Sequence, residues 1–127
     1  GKISWEAAKA SNQRYGKYWS LLHGDFYPNN VFVTDDDRLV LLDFECVGYG
    51  GGPRDIGQYL ISNAKPENRE RYEEEVVKED YWKALQEALV ERFGRENVEV
   101  PGAEEVWEEY KEGGACKWIW VECVCWP

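Results

Sequence analysis

Apolar residues along the chain fall into two kinds of spacing, and each predicts its own elements. Residues 31–33 (VFV) and 39–42 (LVLL) are short continuous runs, separated by Thr34, Asp35, Asp36, Asp37 and Arg38. Two such runs joined by an acidic, polar link predict a β-hairpin with a solvent-facing tip. Residues 67–93 instead carry Tyr72, Val76, Val77, Tyr81, Leu85, Ala88 and Leu89 at helical spacing, with mostly Glu, Lys and Arg between them. That pattern is one amphipathic helix, with Gly94 placed to cap its end. Residues 4–15 predict a short helix with Ser4 as N-cap and Gly16 as its stop. Tyr18 to Leu22 is aromatic and apolar. Asp55 opens a further helix with Ile56, Tyr59 and Leu60 on one face, and Pro66 marks the next boundary. Residues 103–125 read as a last helix through Val106, Trp107, Tyr110, Ile119, Trp120 and Cys123, kinked or split at Gly113-Gly114. Residues 48–53 (GYGGGP) read as a flexible or tightly turned loop. The fold class is α+β, mostly helical, with one hairpin at 31–42, in a single domain over residues 1–127.

Charge and composition narrow the function. The net charge is −10, with Lys and Arg scattered, so the basic face of a nucleic-acid binder is not expected. No apolar run approaches the roughly 20 residues that span a bilayer, so no membrane association is expected. The N-terminal stretch GKISWEAAKA lacks the apolar core of a signal peptide, which points to the cytoplasm. Cys46, Cys116, Cys123 and Cys125 form no C-x-x-C pair and share the chain with a single His, so they read as buried reduced thiols rather than zinc ligands. The three Asp at the hairpin tip are contiguous, without the alternation, Gly and terminal Glu of a calcium loop.

The chemistry is carried by spacing. His23-x-Asp25-x-x-x-x-Asn30 matches the catalytic-loop pattern of kinases, in which an Asp is followed five residues later by an Asn. Thirteen residues after Asn30 comes Asp43-Phe44, preceded by four apolar residues, where a magnesium-binding Asp belongs. If the hairpin turn centres on Asp36 and Asp37, residue 33 pairs with 40 and 31 with 42, and Asn30 faces Asp43 across the open end. Opposed Cα atoms lie about 4.5–5.5 Å apart, close enough for two oxygen ligands to share one Mg²⁺. Asp25 then orients the attacking hydroxyl and takes its proton, Asn30 and Asp43 hold Mg²⁺ on the phosphates of ATP, and His23 braces the loop through hydrogen bonds.

HGDFYPNNVFV, LLDFECVGYG and GPRDIGQYL, in this order, resemble the aminoglycoside phosphotransferase and choline kinase superfamily, particularly its choline-kinase-like branches. The resemblance covers residues 20–65 well and residues 66–127 loosely. It implies Asp25 as the catalytic Asp, Asn30 and Asp43 as metal ligands, and Glu45 as a second acidic group near the metals. It implies that Asp55 holds the catalytic loop from behind and that the helices after Pro66 form the acceptor side. Such kinases also have an N-terminal lobe with a five-stranded sheet and a phosphate-binding Lys. Only 22 residues precede His23, and the chain lacks Met, so the expectation is an excerpt: a protein-kinase-like C-terminal lobe with the N-terminal lobe missing.

The function expected is therefore an ATP- and Mg²⁺-dependent phosphotransferase acting on a hydroxyl of a small molecule, with a cationic acceptor favoured by the acidic charge and the aromatic content. The missing lobe, or self-association, is the expected partner. A non-catalytic nucleotide-binding or regulatory remnant is the alternative. A protein kinase fits less well: the second motif is Asp43-Phe44-Glu45, no Ala-Pro-Glu follows, and there is little room for an activation segment before Asp55. A dinucleotide fingerprint fails at Pro53, and no Gly-Lys-Ser/Thr exists for a P-loop.

Overall fold

The computed structural model describes Glu6, Lys9, Ala10 and residues 19–113. Those first three residues are helical; the rest of the predicted helix over 4–15, the segment of the last helix beyond Gly113, and Cys116, Cys123 and Cys125 lie outside the described residues. The described part is mostly helical with two small antiparallel sheets. Strand β1 (Trp19–Leu22) pairs with β4 (Gly48–Gly51), and β2 (Val31–Val33) pairs with β3 (Leu39–Leu41). Helices α1 (Pro53–Asn63), α2 (Pro66–Glu75), α3 (Trp82–Phe93) and α4 (Ala103–Gly113) follow.

The β2–β3 hairpin forms where the apolar runs predict it, but its register differs by one residue. Val33 pairs with Leu39 and Val31 with Leu41, so the connection is centred on Asp36 alone. The cause is the turn. Asp37 takes the left-handed conformation at φ 58°, and Thr34 bonds back to Arg38 through both main chain and hydroxyl. An odd-numbered link with one left-handed residue shifts every pair beyond it. Asn30 consequently bonds across to Leu42, not to Asp43.

Two further expectations are corrected. The glycine-rich segment 48–51 is a strand rather than a free loop, because β1 supplies a complete antiparallel partner from Trp19–Gly51 to Leu22–Gly48. Its lack of side chains has a use. A Cβ on Gly51 would stand 1.3 Å from Oε1 of Glu109, and one on Gly52 would stand 1.9 Å from the Tyr81 hydroxyl. Helix α4 and Tyr81 therefore rest directly on this backbone. Cys46, expected to be buried, is exposed as a free thiol, since its short turn lies at the surface.

The helical run over 66–93 is continuous, but a π segment, Val76–Tyr81, replaces α geometry in its middle. Gly94 ends the run at φ 78°, as a C-terminal glycine does. Val77 from the π segment, with Val106 and Tyr110 from α4, forms the buried core, onto which Ile56, Leu60, Tyr81, Trp82 and Trp107 pack. Polar ties fix α4 in place. Tyr110 donates to Glu73 at 2.8 Å, Lys78 bridges Glu74 and Glu104, and the Trp82 indole donates to the Pro101 carbonyl at 2.8 Å. Burial and the bond to Glu73 push the Tyr110 hydroxyl well above its usual range.

Candidate active site

The segment from His23 to Asn30 is held on three sides. From below, α1 offers Asp55 in its first turn. Its two carboxylate oxygens accept the backbone N–H groups of His23 at 2.7 Å and Gly24 at 3.0 Å. Pro53 starts this helix, so Asp55 is not its cap and both oxygens are committed to the loop. From one flank, the short 3₁₀ turn Phe44–Cys46 closes on Gly24. Gly24 has φ 76°, and a Cβ there would lie 2.1 Å from the Cys46 carbonyl oxygen. Both conditions demand glycine. From the interior, the buried His23 ring accepts the Asp25 N–H at Nδ1 (3.3 Å), so Nε2 carries the hydrogen donated to the Leu42 carbonyl at 2.7 Å. With both ring nitrogens engaged and Phe44 packed at 4.6 Å, His23 ties the loop to the hairpin.

The five-residue spacing from Asp25 to Asn30 is closed by a second 3₁₀ turn, Pro28–Asn30, in which the Asn30 N–H bonds to the Tyr27 carbonyl. That turn folds the buried Asn30 side chain back on Asp25. Its Nδ2 donates to the Asp25 carbonyl at 3.0 Å and to Oδ2 of the carboxylate at 3.3 Å. The carboxamide oxygen, the atom a cation would take, is thereby the end not used on Asp25.

The other two oxygen donors that the motifs point to, Asp43 and Glu45, stand at the surface. Asp43 is exposed and left-handed at φ 60°, ψ 68°, a conformation Asp tolerates better than most residues. It begins the 3₁₀ turn that carries Glu45, also exposed. With the observed register, Asp43 is the diagonal neighbour of Asn30 and not its direct partner. Its left-handed backbone breaks the alternation of the strand at that residue. Hard carboxylate and carboxamide oxygens are the donors Mg²⁺ prefers, and Mg²⁺ commonly takes only one or two from protein, with waters and phosphates completing the octahedron. The donor chemistry at Asn30 and Asp43 fits such an ion. Among the described residues no group of three or more His, Cys, Asp or Glu could hold a metal unaided.

One partner of Asp25 is not in the sequence motif. Gln58, 5% exposed on the second turn of α1, donates from Nε2 to Oδ1 of Asp25 at 3.2 Å. The available signal was its position three residues after Asp55, on the same helix face. Farther back, Tyr81 reaches Gly52 at the head of α1, and burial pushes its hydroxyl up to about 12, helped by the charges of Glu109 and Asp55.

A model of the ecdysteroid kinase-like family matches residues 2–93 of the 127. The chain belongs to the ecdysteroid kinase-like family. This kinase-like family is related to the choline kinase and aminoglycoside phosphotransferase superfamily that the motifs resemble. It places the chain, at the family level, among phosphotransferases that in general use ATP and Mg²⁺. Comparison with curated proteins and with solved structures gave no match. The family match contains the whole loop, the hairpin, α1 and Gln58. No helix among the described residues is long and apolar enough to cross a membrane.

Proposed function

We propose that this chain carries the catalytic half of an ATP-dependent phosphotransferase that moves the γ-phosphate to a hydroxyl group of a small molecule. The observation that carries the reading is the anchored loop: Asp55 grips its backbone while Asn30 and Gln58 grip both oxygens of Asp25. Phosphoryl transfer needs positioning and charge neutralisation more than covalent help, and this is a positioning device. Asp25 accepts the proton of the acceptor hydroxyl as its oxygen bonds to phosphorus. The bond from phosphorus to the bridging oxygen breaks, and ADP leaves. When bound, Mg²⁺ neutralises the phosphates; Asn30 and Asp43 are the residues that would hold it, with Glu45 as the second acidic group. His23 and Asp55 keep the loop in shape. The helices from residue 66 onward form the acceptor side.

A separate β-rich lobe, in the kinase manner, completes the nucleotide site, and the cytoplasm supplies its ATP. The family name directs the acceptor search to steroid alcohols first. The net charge of −10 makes cationic amino alcohols the second class to test.

The test separates two roles. Nucleotide affinity is titrated and ADP release followed across a Mg²⁺ series, with the chain alone and with a kinase N-terminal lobe supplied in trans. Asp25→Asn should abolish transfer yet leave Mg-ATP affinity nearly unchanged, whereas Asp43→Ala should weaken Mg-ATP binding itself. Near-normal turnover in Asp25→Asn removes Asp25 as the base. Mg-dependent binding without turnover in the parent under every condition supports a nucleotide-binding remnant instead.

A further inference from the structure

Among the described residues, four polar or charged side chains are buried: His23, Asn30, Gln58 and Glu109. Three of the four touch Asp25, His23 and Asn30 among them, and these two are named by the motif. Gln58 is the third, from a different element. Burying a carboxamide is costly unless its polar atoms are bonded, so a buried Gln at this point needs a reason.

We infer that Gln58 is a positioning residue of the site: its amide holds Oδ1 of Asp25 while Asn30 holds Oδ2, locking the carboxylate in one orientation. The inference rests on Asp25 being the base. One donor on one oxygen leaves the carboxylate free to turn about Cβ–Cγ. Donors on both oxygens, from two separate elements, fix its plane. An amide suits the task because it donates without charge. A Lys or Arg in its place would neutralise the group that must accept a proton, and a second carboxylate would repel it. Gln58 and Asp55 are three residues apart on α1, so one helix face holds the loop backbone through Asp55 and the base through Gln58. The base and its loop thereby move as one body with α1.

Gln58→Met keeps the length and volume of the side chain and removes its donor. The first measurement needs no turnover: three-bond couplings from the Asp25 Cγ to its backbone nitrogen and carbonyl report the rotamer about Cα–Cβ, which anchors on both oxygens restrict together with the turn about Cβ–Cγ. The parent should show one rotamer and Gln58→Met an average over several. Parent-like couplings in a folded Gln58→Met overturn the proposal. If that variant does not fold, Asp25→Ala serves instead: the Gln58 side-chain amide resonances should move to free-amide positions, and unchanged resonances overturn the contact. The second measurement is kinetic. Gln58→Met should lower kcat about tenfold with KM for Mg-ATP within about twofold, as expected for a group acting on the proton acceptor only. Gln58→Glu should lower kcat further. An unchanged kcat, or a loss confined to KM, overturns the positioning role. A parent without turnover defeats the phosphotransferase reading but leaves the rotamer measurement to decide the role of Gln58.

Discussion

Glu109 gives the sharpest thermodynamic test of this fold. The side chain is 3% exposed, lies against the bare backbone of Gly51, and leaves Oε1 without a hydrogen-bond partner. Arg54 stands nearby with its own Nε unpartnered. Burial pushes the Glu109 carboxyl up to about 7, against the opposing pull of the Arg54 charge. A folded-state pKa above the unfolded value of 4.5 means that the native protein holds this proton longer. The contribution is complete below pH 4.5, declines as the unfolded chain loses the proton, and is lost above about 7. A difference of roughly 2.5 units at about 1.4 kcal/mol each makes about 3.5 kcal/mol. Against a domain stability of about 5–15 kcal/mol, that is a large share.

Glu109→Gln removes the titration and keeps the shape. Urea unfolding from pH 5.5 to 8 should show parent stability falling as pH rises and the variant nearly flat. The variant should already be more stable by about 1.4 kcal/mol at pH 5.5, and the gap should widen to about 3.5 kcal/mol at pH 8. The window is clean because ordinary carboxylates are already ionised and the chain has one His. Parallel curves for parent and variant across that range would refute the buried, partly unsatisfied carboxyl.

Three other outcomes are expected. Gly24→Ala should lower the urea midpoint by the equivalent of about 1–3 kcal/mol, because its Cβ meets the Cys46 carbonyl and its φ is positive; a neutral result would show that the loop has another resting shape. Asp55→Ala should remove the acceptor shared by the backbone N–H groups of His23 and Gly24 and cost about 2–4 kcal/mol, with accelerated amide exchange at both residues as its local signature. The hairpin exposes Phe32, Val33, Leu39 and Val40, so sedimentation should reveal concentration-dependent association that Val33→Lys with Leu39→Lys suppresses; a monomer at all concentrations would remove the hairpin as an association surface.

The elements whose hydrophobic period is long were legible in the sequence. Pro66, Gly94 and the apolar spacing from Tyr72 to Leu89 located the helical run, but the burial expected of that face is met fully only at Val77: Val76, Tyr81, Leu85 and Leu89 are half-buried, and Tyr72 and Ala88 are exposed. The π segment was not legible, since Val76–Tyr81 carries the same residue types as the α-helical turns on either side of it. The hairpin's existence followed from VFV and LVLL, but its register was decided by a left-handed Asp37, a choice among turn conformations that apolar spacing does not encode. β4 was hidden because glycine has poor strand propensity, and only pairing with β1 makes it a strand. At the site, the residue types and spacings from His23 to Asp55 were readable. The direction of each hydrogen bond was not, and neither was Gln58, which reaches Asp25 across thirty-three positions in the chain.

The two glycines at the end of β4 and the head of α1 invert the usual link between side-chain size and evolutionary freedom. Positions without a side chain ordinarily accept many residues when their backbone angles are ordinary, and Gly52 has an ordinary φ of −51°. Here the neighbours, Glu109 and Tyr81, occupy the very volume that a first carbon would need. Relief at either glycine therefore requires the end of a side chain on a helix far along the chain to swing aside or to shorten, so that Gly51 with Glu109, and Gly52 with Tyr81, are expected to drift as linked pairs. Two positions that look like spacer in the sequence thus become historical constraints on residues 29 and 58 positions away.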